Sequence, residues 1–276
     1  MIRHEERPRL SRKFHISIIG NGFVGSAHAK FLAGKAKLTI WDKKSNNPYP
    51  IDDVAESDLV IVCVNTPTLP SGECDISFVC EAVKSIPLGP TVLIRSTIPP
   101  GTTQQLEKKF QRHITFAPEY IGETGVRHAW GDDLSRVPHF ILGGTSEARR
   151  TTLEVLAPLL PKGVEIFQCT STEAEVIKLM ENAFLATKVA FVNELYDYCV
   201  AIDADWEAVR EGWIKDVRIG QSHTCVYVDS RGFGGSCLPK DLKSLEFEMK
   251  RHGIDPILVQ GVLQSNSRVR QLNDQP

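Results

Sequence analysis

Apolar runs alternate with amphipathic stretches through the first 170 or so residues of the chain. Residues 59–64 and 91–94 are apolar almost throughout, as expected for strands covered on both faces of a sheet. Further strands are predicted at 14–19, 36–41, 114–116 and 140–142. Strands that alternate with helices predict an α/β fold, with an N-terminal Rossmann domain built on a doubly wound parallel sheet.

Ligands of such sheets bind beyond the carboxyl ends of the strands. The polar turns that follow the predicted strands, at residues 65–67, 96–97 and 118–123, are therefore candidate binding segments.

A different pattern begins at Ser171. Residues 171–201 contain neither Gly nor Pro and are apolar around most of a helical circumference. This predicts a long buried helix, of the kind found between domains or subunits. A second helical region is predicted from Asp203 to about Gln271, interrupted at Gly220 and before Cys237. The predicted organisation is a flexible arm (1–13), a Rossmann domain (14–170), and a long central helix with a small all-helical domain (171–276).

The bulk composition narrows the class of protein. The 276 residues include 34 acidic and 32 basic side chains, so charge predicts no nucleic-acid or membrane partner. The seven cysteines form no CxxC pair, which favours a reducing compartment and predicts no metal site. The first 13 residues lack the apolar core of a secretory signal, and no apolar run is long enough to span a membrane. A cytoplasmic location is expected.

A glycine turn directly follows the first predicted strand and opens a helix, and the second strand ends at Asp42. This context predicts a dinucleotide site, with the pyrophosphate at the helix N-terminus and the carboxylate on the ribose. The alternative is a turn that only packs helix against strand. Asp42 would repel a 2′-phosphate and favours NAD over NADP, although Lys43 or Lys44 could bind such a phosphate. The expected cofactor contacts are Gly20, Gly22, Phe23, Val24, Gly25 and Asp42.

A cysteine follows a second glycine-rich stretch, residues 232–236, and precedes a helix-forming segment at 242–251. Glycines let the backbone approach a ligand closely, and a helix N-terminus favours the thiolate form of a cysteine. Cys237 is therefore the candidate nucleophile. The ordinary alternative is an inert structural cysteine.

Two polar residues stand four apart inside the long helix. Lys178 and Asn182 share one helical face and could act as two hydrogen-bond donors to a reacting oxygen. The alternative is a lysine that extends its ammonium group to solvent beside a satisfied amide.

Taken together, these motifs resemble the nucleoside-diphosphate-sugar 6-dehydrogenases, the UDP-glucose and GDP-mannose dehydrogenase family. The segments that carry the resemblance, in family order, are 20–25 with Asp42, 64–68, 96–102, 117–123, 178–182, 218–220 and 232–241. Members of this family usually continue into a third domain that binds the nucleotide part of the substrate. This chain ends at Pro276, near the end of the family's middle domain, and is expected to be a short form.

The resemblance implies oxidation of a sugar primary alcohol to the uronic acid with two NAD, through a thiohemiacetal and a thioester on Cys237. Lys178 and Asn182 would stabilise oxyanions, Asp241 would position a water or relay a proton, Glu119 would be the hydrolytic base, and Thr97 would orient a water or the substrate hydroxyl. Further cofactor contacts would be Asn65, Thr66, Ser96, Thr97 and Glu123. The substrate contacts would be Glu119, Tyr120, Ile121, Lys178, Asn182, Arg218, Phe233 and Gly234.

In the family, the residue matched by Arg218 reaches the neighbouring subunit's sugar site, so the resemblance also implies a homodimer built on the central helix. Without the family match, Glu119 and Glu123 would be ordinary solvated carboxylates, and Arg218 would form a surface salt bridge.

Two other functions remain open at this point. A two-electron β-hydroxyacid dehydrogenase also pairs a Rossmann domain with a long helix carrying Lys and Asn, but has no use for a nucleophilic cysteine. A non-catalytic NAD-binding partner of a full-length relative is the second alternative.

Overall fold

The computed structural model describes residues 13–122 and 130–273. Its strands join in one sheet of seven, in the order β2-β1-β3-β4-β5-β6-β7. The strands are β1 (His15–Ile19), β2 (Lys37–Trp41), β3 (Leu59–Val62), β4 (Thr91–Ile94), β5 (Ile114–Phe116), β6 (His139–Gly143) and β7 (Glu165–Cys169).

Helices alternate with these strands and then continue alone. They are α1 (Phe23–Leu32), α2 (Ile51–Ala55), α3 (Ser77–Ser85), α4 (Thr102–Phe110), α5 (Ser146–Leu156), α6 (Ser171–Ala201), α7 (Trp206–Trp213), α8 (Leu238–Arg251) and α9 (Ile257–Asn273).

The central strands are apolar because helices cover both faces of the sheet. All four residues of β3 and three of the four in β4 are fully buried, which confirms the α/β fold predicted from their sequence. The strand order reverses between β1 and β3, the position at which sheets of this type bind dinucleotides.

The sheet differs from the prediction in two respects, one of which is the additional strand β7. β5 and β6 pair antiparallel, through Phe116 and Gly143, whereas the other neighbouring strands are parallel. The polarity of a strand follows from its tertiary pairing, and nothing in the composition of β6 reveals it.

The long helix predicted at 171–201 is confirmed as α6. The region after Asp203 is less helical than predicted, since most of residues 214–237 lie outside helices. α8 begins at Leu238, earlier than the predicted 242, because Pro239 occupies the first turn, where a missing N–H leaves no hydrogen bond unmade.

The chain forms two compact units. The first takes the described residues within 1–65, 78–96 and 103–171, and the second takes those within 66–77, 97–102 and 172–276. Two short segments that lie between strands of the sheet in sequence thus belong to the helical unit. In neither unit does a described helix have the length and apolarity needed to span a bilayer.

Candidate active site

The glycine turn between β1 and α1 depends on the absence of side chains. Gly20 has φ +93°, and a Cβ there would lie 2.5 Å from the Cys63 carbonyl oxygen. A Cβ at Gly25 would lie 1.9 Å from the Gly20 carbonyl oxygen, so α1 can approach the turn only with glycine at that position. At Gly22, by contrast, no described atom beyond its chain neighbours would lie within 4 Å of a Cβ. The turn is thus tightly packed inside and open on its outer side, as a pyrophosphate requires.

Asp42 lies beside this turn at the end of β2. Its carboxylate accepts hydrogen bonds from the backbone N–H groups of Asn21, at 2.7 Å, and Lys44, at 2.8 Å. These bonds hold the pKa of Asp42 below its usual range, so the group is ionised near neutral pH. A cavity of about 370 Å³ is bounded by Asp42, Gly20, Gly22 and Asn65, among others. The chemistry of these residues suits a dinucleotide, and the predicted placement of its adenosine ribose at Asp42 and of its phosphates at Gly22 stays a prediction.

Two neighbouring predicted contacts differ in their surroundings. Ser96 donates its hydroxyl to the Val64 carbonyl oxygen at 2.6 Å, and Asn65 is exposed. Lys43, whose ammonium group could bind a 2′-phosphate, forms an ion pair with Glu81 at 2.9 Å. Glu123 lies outside the described residues.

Glu119, also in the first unit, is buried in a polar cluster that the sequence analysis did not predict. Oε2 accepts from Arg95 Nη2 at 2.6 Å, and Oε1 accepts from the backbone N–H groups of Tyr120, at 2.7 Å, and Ile121, at 3.1 Å. Burial by itself would raise the pKa of Glu119, but the adjacent Arg95 guanidinium holds it well below its usual range. Glu119 is thus a fixed carboxylate, and its predicted role as a base remains a prediction.

Arg95 organises the whole turn that carries Glu119. Its Nη1 donates to the carbonyl oxygens of Ala117 and Pro118, both at 2.9 Å. Burial lowers the pKa of His28 and keeps the ring neutral, so that its Nε2 can accept from Arg95 Nε at 3.0 Å. The only sequence signal for Arg95 is a cation at the end of an apolar strand.

In the second unit, α6 and α8 are joined by a chain of polar contacts. Lys178 Nζ donates to Asn182 Oδ1 at 3.3 Å, and Asn182 Nδ2 donates to the Asp241 carboxylate at 2.5 Å. Lys240 Nζ donates to the other Asp241 oxygen at 2.6 Å. Asp241 is 1% exposed and Asn182 is buried. The Lys178, Asn182 and Asp241 side chains predicted from the sequence therefore lie in one network.

Cys237 stands directly before α8 and is exposed. Its carbonyl oxygen accepts the backbone N–H of Asp241 at 2.9 Å, which places the thiol one helical turn from the buried carboxylate. The Ser236 hydroxyl lies 3.5 Å from the Cys237 sulfur. The predicted nucleophile and the network thus share the first turn of α8.

Phe233, a predicted substrate contact, is only 4% exposed and packs among Ala186, Leu242 and Val262. Both of its backbone polar groups are hydrogen-bonded to Asn266. Its side chain therefore contributes to the core of the helical unit, and its contact with substrate remains a prediction.

Thr66, Thr97 and Arg218 also belong to the second unit. Thr66 is buried, and Thr97 accepts through its carbonyl oxygen from the Cys74 thiol at 3.8 Å. Arg218 is exposed and pairs with Asp216. Lys188 donates to the carbonyl oxygens of Ile219, at 3.2 Å, and Gly220, at 2.9 Å, and so holds the turn after Arg218.

Sequence models of two domains of one family match the chain. Residues 48–158 match the NAD binding domain of the UDP-glucose/GDP-mannose dehydrogenase family, and residues 172–268 match its central domain. The first of these matches identifies NAD as the cofactor of the N-terminal domain.

Similar proteins include the UDP-glucose 6-dehydrogenases of Rickettsia bellii, 32% identical over 78% of this chain and 50% of its own length, and Pseudomonas aeruginosa, 30% identical over 80% and 51%. The chain spans about half the length of the curated relatives it matches.

Solved structures show the same fold. The structure of a UDP-glucose dehydrogenase from Pyrobaculum islandicum matches with a TM-score of 0.82 at 24% sequence identity. The match covers 95% of this chain and 70% of the Pyrobaculum chain. A Mycobacterium tuberculosis 3-hydroxyisobutyrate dehydrogenase has a TM-score of 0.66 at 16% identity, with 93% of both chains covered. The two domain models together take in more than half of the sequence, and the chain belongs to the UDP-glucose/GDP-mannose dehydrogenase family.

Proposed function

We propose that this protein oxidises the primary alcohol of a nucleotide sugar to the uronic acid, with NAD as the oxidant. The observation that carries the proposal is the position of Cys237 at the start of α8, one turn before Asp241. Asp241 in turn holds Asn182 in a network with Lys178. A nucleophile beside oriented donors is what a four-electron oxidation of an alcohol needs.

The overall reaction converts R–CH₂OH, two NAD⁺ and water into R–COO⁻, two NADH and three protons. Bound NAD supplies the hydride acceptor for both oxidations. The Cys237 thiolate adds to the aldehyde carbon left by the first oxidation and forms a thiohemiacetal, and the second oxidation yields a thioester. Water then adds to the thioester carbonyl, the C–S bond breaks, and Cys237 leaves as the thiolate.

The network explains how Asn182 could serve this chemistry. A carboxylate only accepts hydrogen bonds, so Asp241 fixes the Nδ2 end of the amide toward itself, and Oδ1 faces Lys178. The second hydrogen on Nδ2 and the Lys178 ammonium are proposed to donate to the substrate oxyanion. Asp241 then acts by orienting Asn182, in addition to any contact with water.

Roles for Thr97 and Glu119, and substrate contacts by Tyr120, Ile121, Arg218, Phe233 and Gly234, remain predictions from the family resemblance. For Glu119, the ion pair with Arg95 supports a positioning role in the 117–121 turn at least as well as a role as a base.

We also propose a homodimer formed through α6. Met180 and Phe184 are each 62% exposed, and Val176 and Phe191 are exposed as well. At spacings of four, four and seven residues, these side chains share one face of the helix. A second copy of the chain would cover that apolar face.

A two-electron hydroxyacid dehydrogenase is the second candidate. It is favoured by the fold shared with 3-hydroxyisobutyrate dehydrogenase over 93% of both chains. Such a reaction would give one NADH per substrate and would not need Cys237.

The stoichiometry of NADH separates the two candidates. Purified protein would be offered NAD with UDP-glucose, GDP-mannose, UDP-N-acetylmannosamine or 3-hydroxyisobutyrate, and both NADH and the oxidised product would be measured. We expect two NADH for each uronic acid. A Cys237→Ser variant should lose acid formation but keep NAD binding, since the substituted hydroxyl is a weak nucleophile.

Cys225, the other exposed cysteine in the same unit, supplies the matched control, and Cys225→Ser should keep full activity. Two NADH per substrate from Cys237→Ser at the unmodified rate would rule out the thioester route. One NADH per hydroxyacid would establish the second candidate instead.

A further inference from the structure

Asn266 on α9 holds the residue that begins the cysteine loop, residues 233–237. Its Oδ1 accepts the backbone N–H of Phe233 at 2.7 Å, and its Nδ2 donates to the carbonyl oxygen of the same residue at 3.0 Å. One buried amide thus pairs with both polar groups of a single peptide residue. Such a contact fixes position and orientation together, because donor and acceptor must both align.

A second asparagine, on α6, holds the residues that precede the loop. Asn193 on α6 accepts through Oδ1 from Arg231 Nε at 3.2 Å and from the backbone N–H of Gly232 at 3.3 Å. Arg231 also pairs with Asp197 at 2.6 Å. The approach to the loop therefore runs between side chains of α6 and α9.

Gly232 shows how closely Asn266 approaches the backbone. Gly232 has φ +77°, and a Cβ there would lie 2.6 Å from Asn266 Oδ1. The amide occupies the space that a side chain at this position would need. The buried ring of Phe233 then anchors the same point in the helical core.

The loop is short, and both of its ends are held. Phe233 begins it under Asn266, and Cys237 ends it at the N-terminus of α8. No described atom beyond its chain neighbours would lie within 4 Å of a Cβ at Gly235, and this glycine has φ +75°. At Gly234, by contrast, a Cβ would lie 2.7 Å from Arg270 Nη1, so α9 contacts the first two residues of the loop through Asn266 and Arg270. The path from Gly235 to Cys237 depends on these contacts and on the N-terminus of α8.

We propose that Asn266 is a positioning residue for Cys237. By fixing both backbone groups of Phe233, it holds the loop so that the thiol stays at the N-terminus of α8. The inference rests on the proposed function insofar as Cys237 is the nucleophile. It concerns the reactivity of the thiol, which can be measured without turnover.

The test replaces the amide with groups that keep its size. Asn266→Leu removes both hydrogen bonds at every pH. Asn266→Asp behaves differently in its two protonation states. The ionised carboxylate can accept from the Phe233 N–H but repels the Phe233 carbonyl oxygen, whereas the protonated form restores both bonds. Arg270, one turn further along α9, lies beside the same position and would favour the ionised form of the introduced carboxylate.

The readout is the rate of alkylation of Cys237, followed by mass spectrometry and divided by the rate for exposed Cys225 in the same sample. When Phe233 is released, the first turn of α8 should fray, and the thiol should lose the favourable field of the helix terminus. We expect Asn266→Leu to lower the Cys237/Cys225 ratio about tenfold. Asn266→Asp should do so near pH ~8, where the carboxylate is ionised and keeps only the bond from the Phe233 N–H.

Gln264→Glu makes the same amide-to-carboxylate change at an exposed position on α9 and should leave the ratio unchanged. An unchanged ratio in Asn266→Leu or in Asn266→Asp would overturn the inference.

Hydrogen exchange in the unmodified protein tests the same contact without a substitution. The Phe233 amide should exchange far more slowly than that of Gly235, and equal rates would also overturn the inference. These results are independent of NADH formation, so a failure of the proposed oxidation remains a separate outcome.

Discussion

Arg95 and Glu119 form a buried ion pair, with Nη2 2.6 Å from Oε2 and side chains only 4% and 8% exposed. The same guanidinium donates to the carbonyl oxygens of Ala117 and Pro118. Desolvation of two charges is offset here by a nearly complete set of hydrogen bonds. The pair therefore joins the end of β4 to the turn after β5. Each of the two side chains depends on the other to neutralise its buried charge.

Removing one residue of the Arg95–Glu119 pair should strongly destabilise the protein. Arg95→Met leaves the Glu119 carboxylate buried without its cation and should lower the free energy of unfolding by about 3–5 kcal/mol. Urea denaturation measures this change. Lys30→Met breaks the exposed ion pair with Asp132 and should lower it by no more than about 1 kcal/mol. Equal effects of the two substitutions would contradict the buried pair.

The same carboxylate should make stability depend on acid. Glu119 has a lowered pKa in the folded protein, so its stabilising contribution is complete above the unfolded value of 4.5 and is lost as pH falls below it. The free energy of unfolding should therefore fall less steeply between pH ~5 and ~3 in Glu119→Gln than in the unmodified protein. Parallel pH profiles for the two proteins would show that Glu119 is not the titrating group.

Asp42 should decide between NAD and NADP. Charge-assisted hydrogen bonds from the ribose to its carboxylate would each be worth about 1.5–3 kcal/mol, and the same charge would repel a 2′-phosphate. Asp42→Ala should weaken NAD binding at least tenfold and narrow its preference over NADP, as measured by fluorescence titration. Because Lys43 is already paired with Glu81, Lys43→Ala should change the NAD/NADP ratio little. Equal affinity for both cofactors in the unmodified protein would defeat this assignment.

Gly232 and Gly253 have nearly the same backbone conformation, so substitutions at these two positions distinguish backbone strain from steric collision. Gly232 has φ +77° and Gly253 has φ +74°, but only Gly232 faces a close neighbour, Asn266. Gly253→Ala should destabilise the protein by about 1–2 kcal/mol through backbone strain alone. Gly232→Ala should cost about 1–3 kcal/mol more, because Asn266 must move. Thermal denaturation of both variants checks the difference, and similar melting temperatures would argue against the close contact.

The homodimer should depend on the apolar face of α6. Phe184→Glu places a charge at its centre and should convert the dimer to monomers, as measured by analytical ultracentrifugation. Glu194→Lys changes the charge at another exposed position on the same helix and should leave the dimer intact. A monomeric unmodified protein would refute the proposed dimer outright.

If sites are shared between subunits, mixing Arg218→Ala with Cys237→Ala proteins should restore some activity. No recovery, despite demonstrated subunit exchange, would argue against a contribution of Arg218 across the interface.

The elements that were predicted correctly have local signals. The apolar runs of β3 and β4, and the absence of Gly and Pro in α6, follow directly from burial and helix propensity. β7 was not predicted, because the segment Glu-Ile-Phe-Gln-Cys neither alternates nor forms an apolar run, and it pairs only with β6. Its strand conformation comes from that partner.

The residues of the candidate site also divide into those with a local sequence signal and those without one. A glycine turn, or a cysteine before a helix, can be recognised from a few consecutive residues. His28, Arg95 and Glu119 are brought together across 91 and 24 positions of sequence, and Asn266 meets Phe233 across 33. An amide inside a helix has no periodic signature, so such contacts emerge only from the tertiary structure.

The assignment of residues 66–77 and 97–102 to the helical unit has a consequence for synthesis of the chain. Both segments leave the ribosome before any residue of α6. At ~5–20 residues per second, residues 97–102 wait roughly 3–14 s and residues 66–77 roughly 5–19 s for the first residue of that helix. During these intervals the nascent Rossmann unit carries two stretches whose partners in the helical unit after residue 171 do not yet exist. A chaperone that binds such stretches would therefore act before α6 emerges.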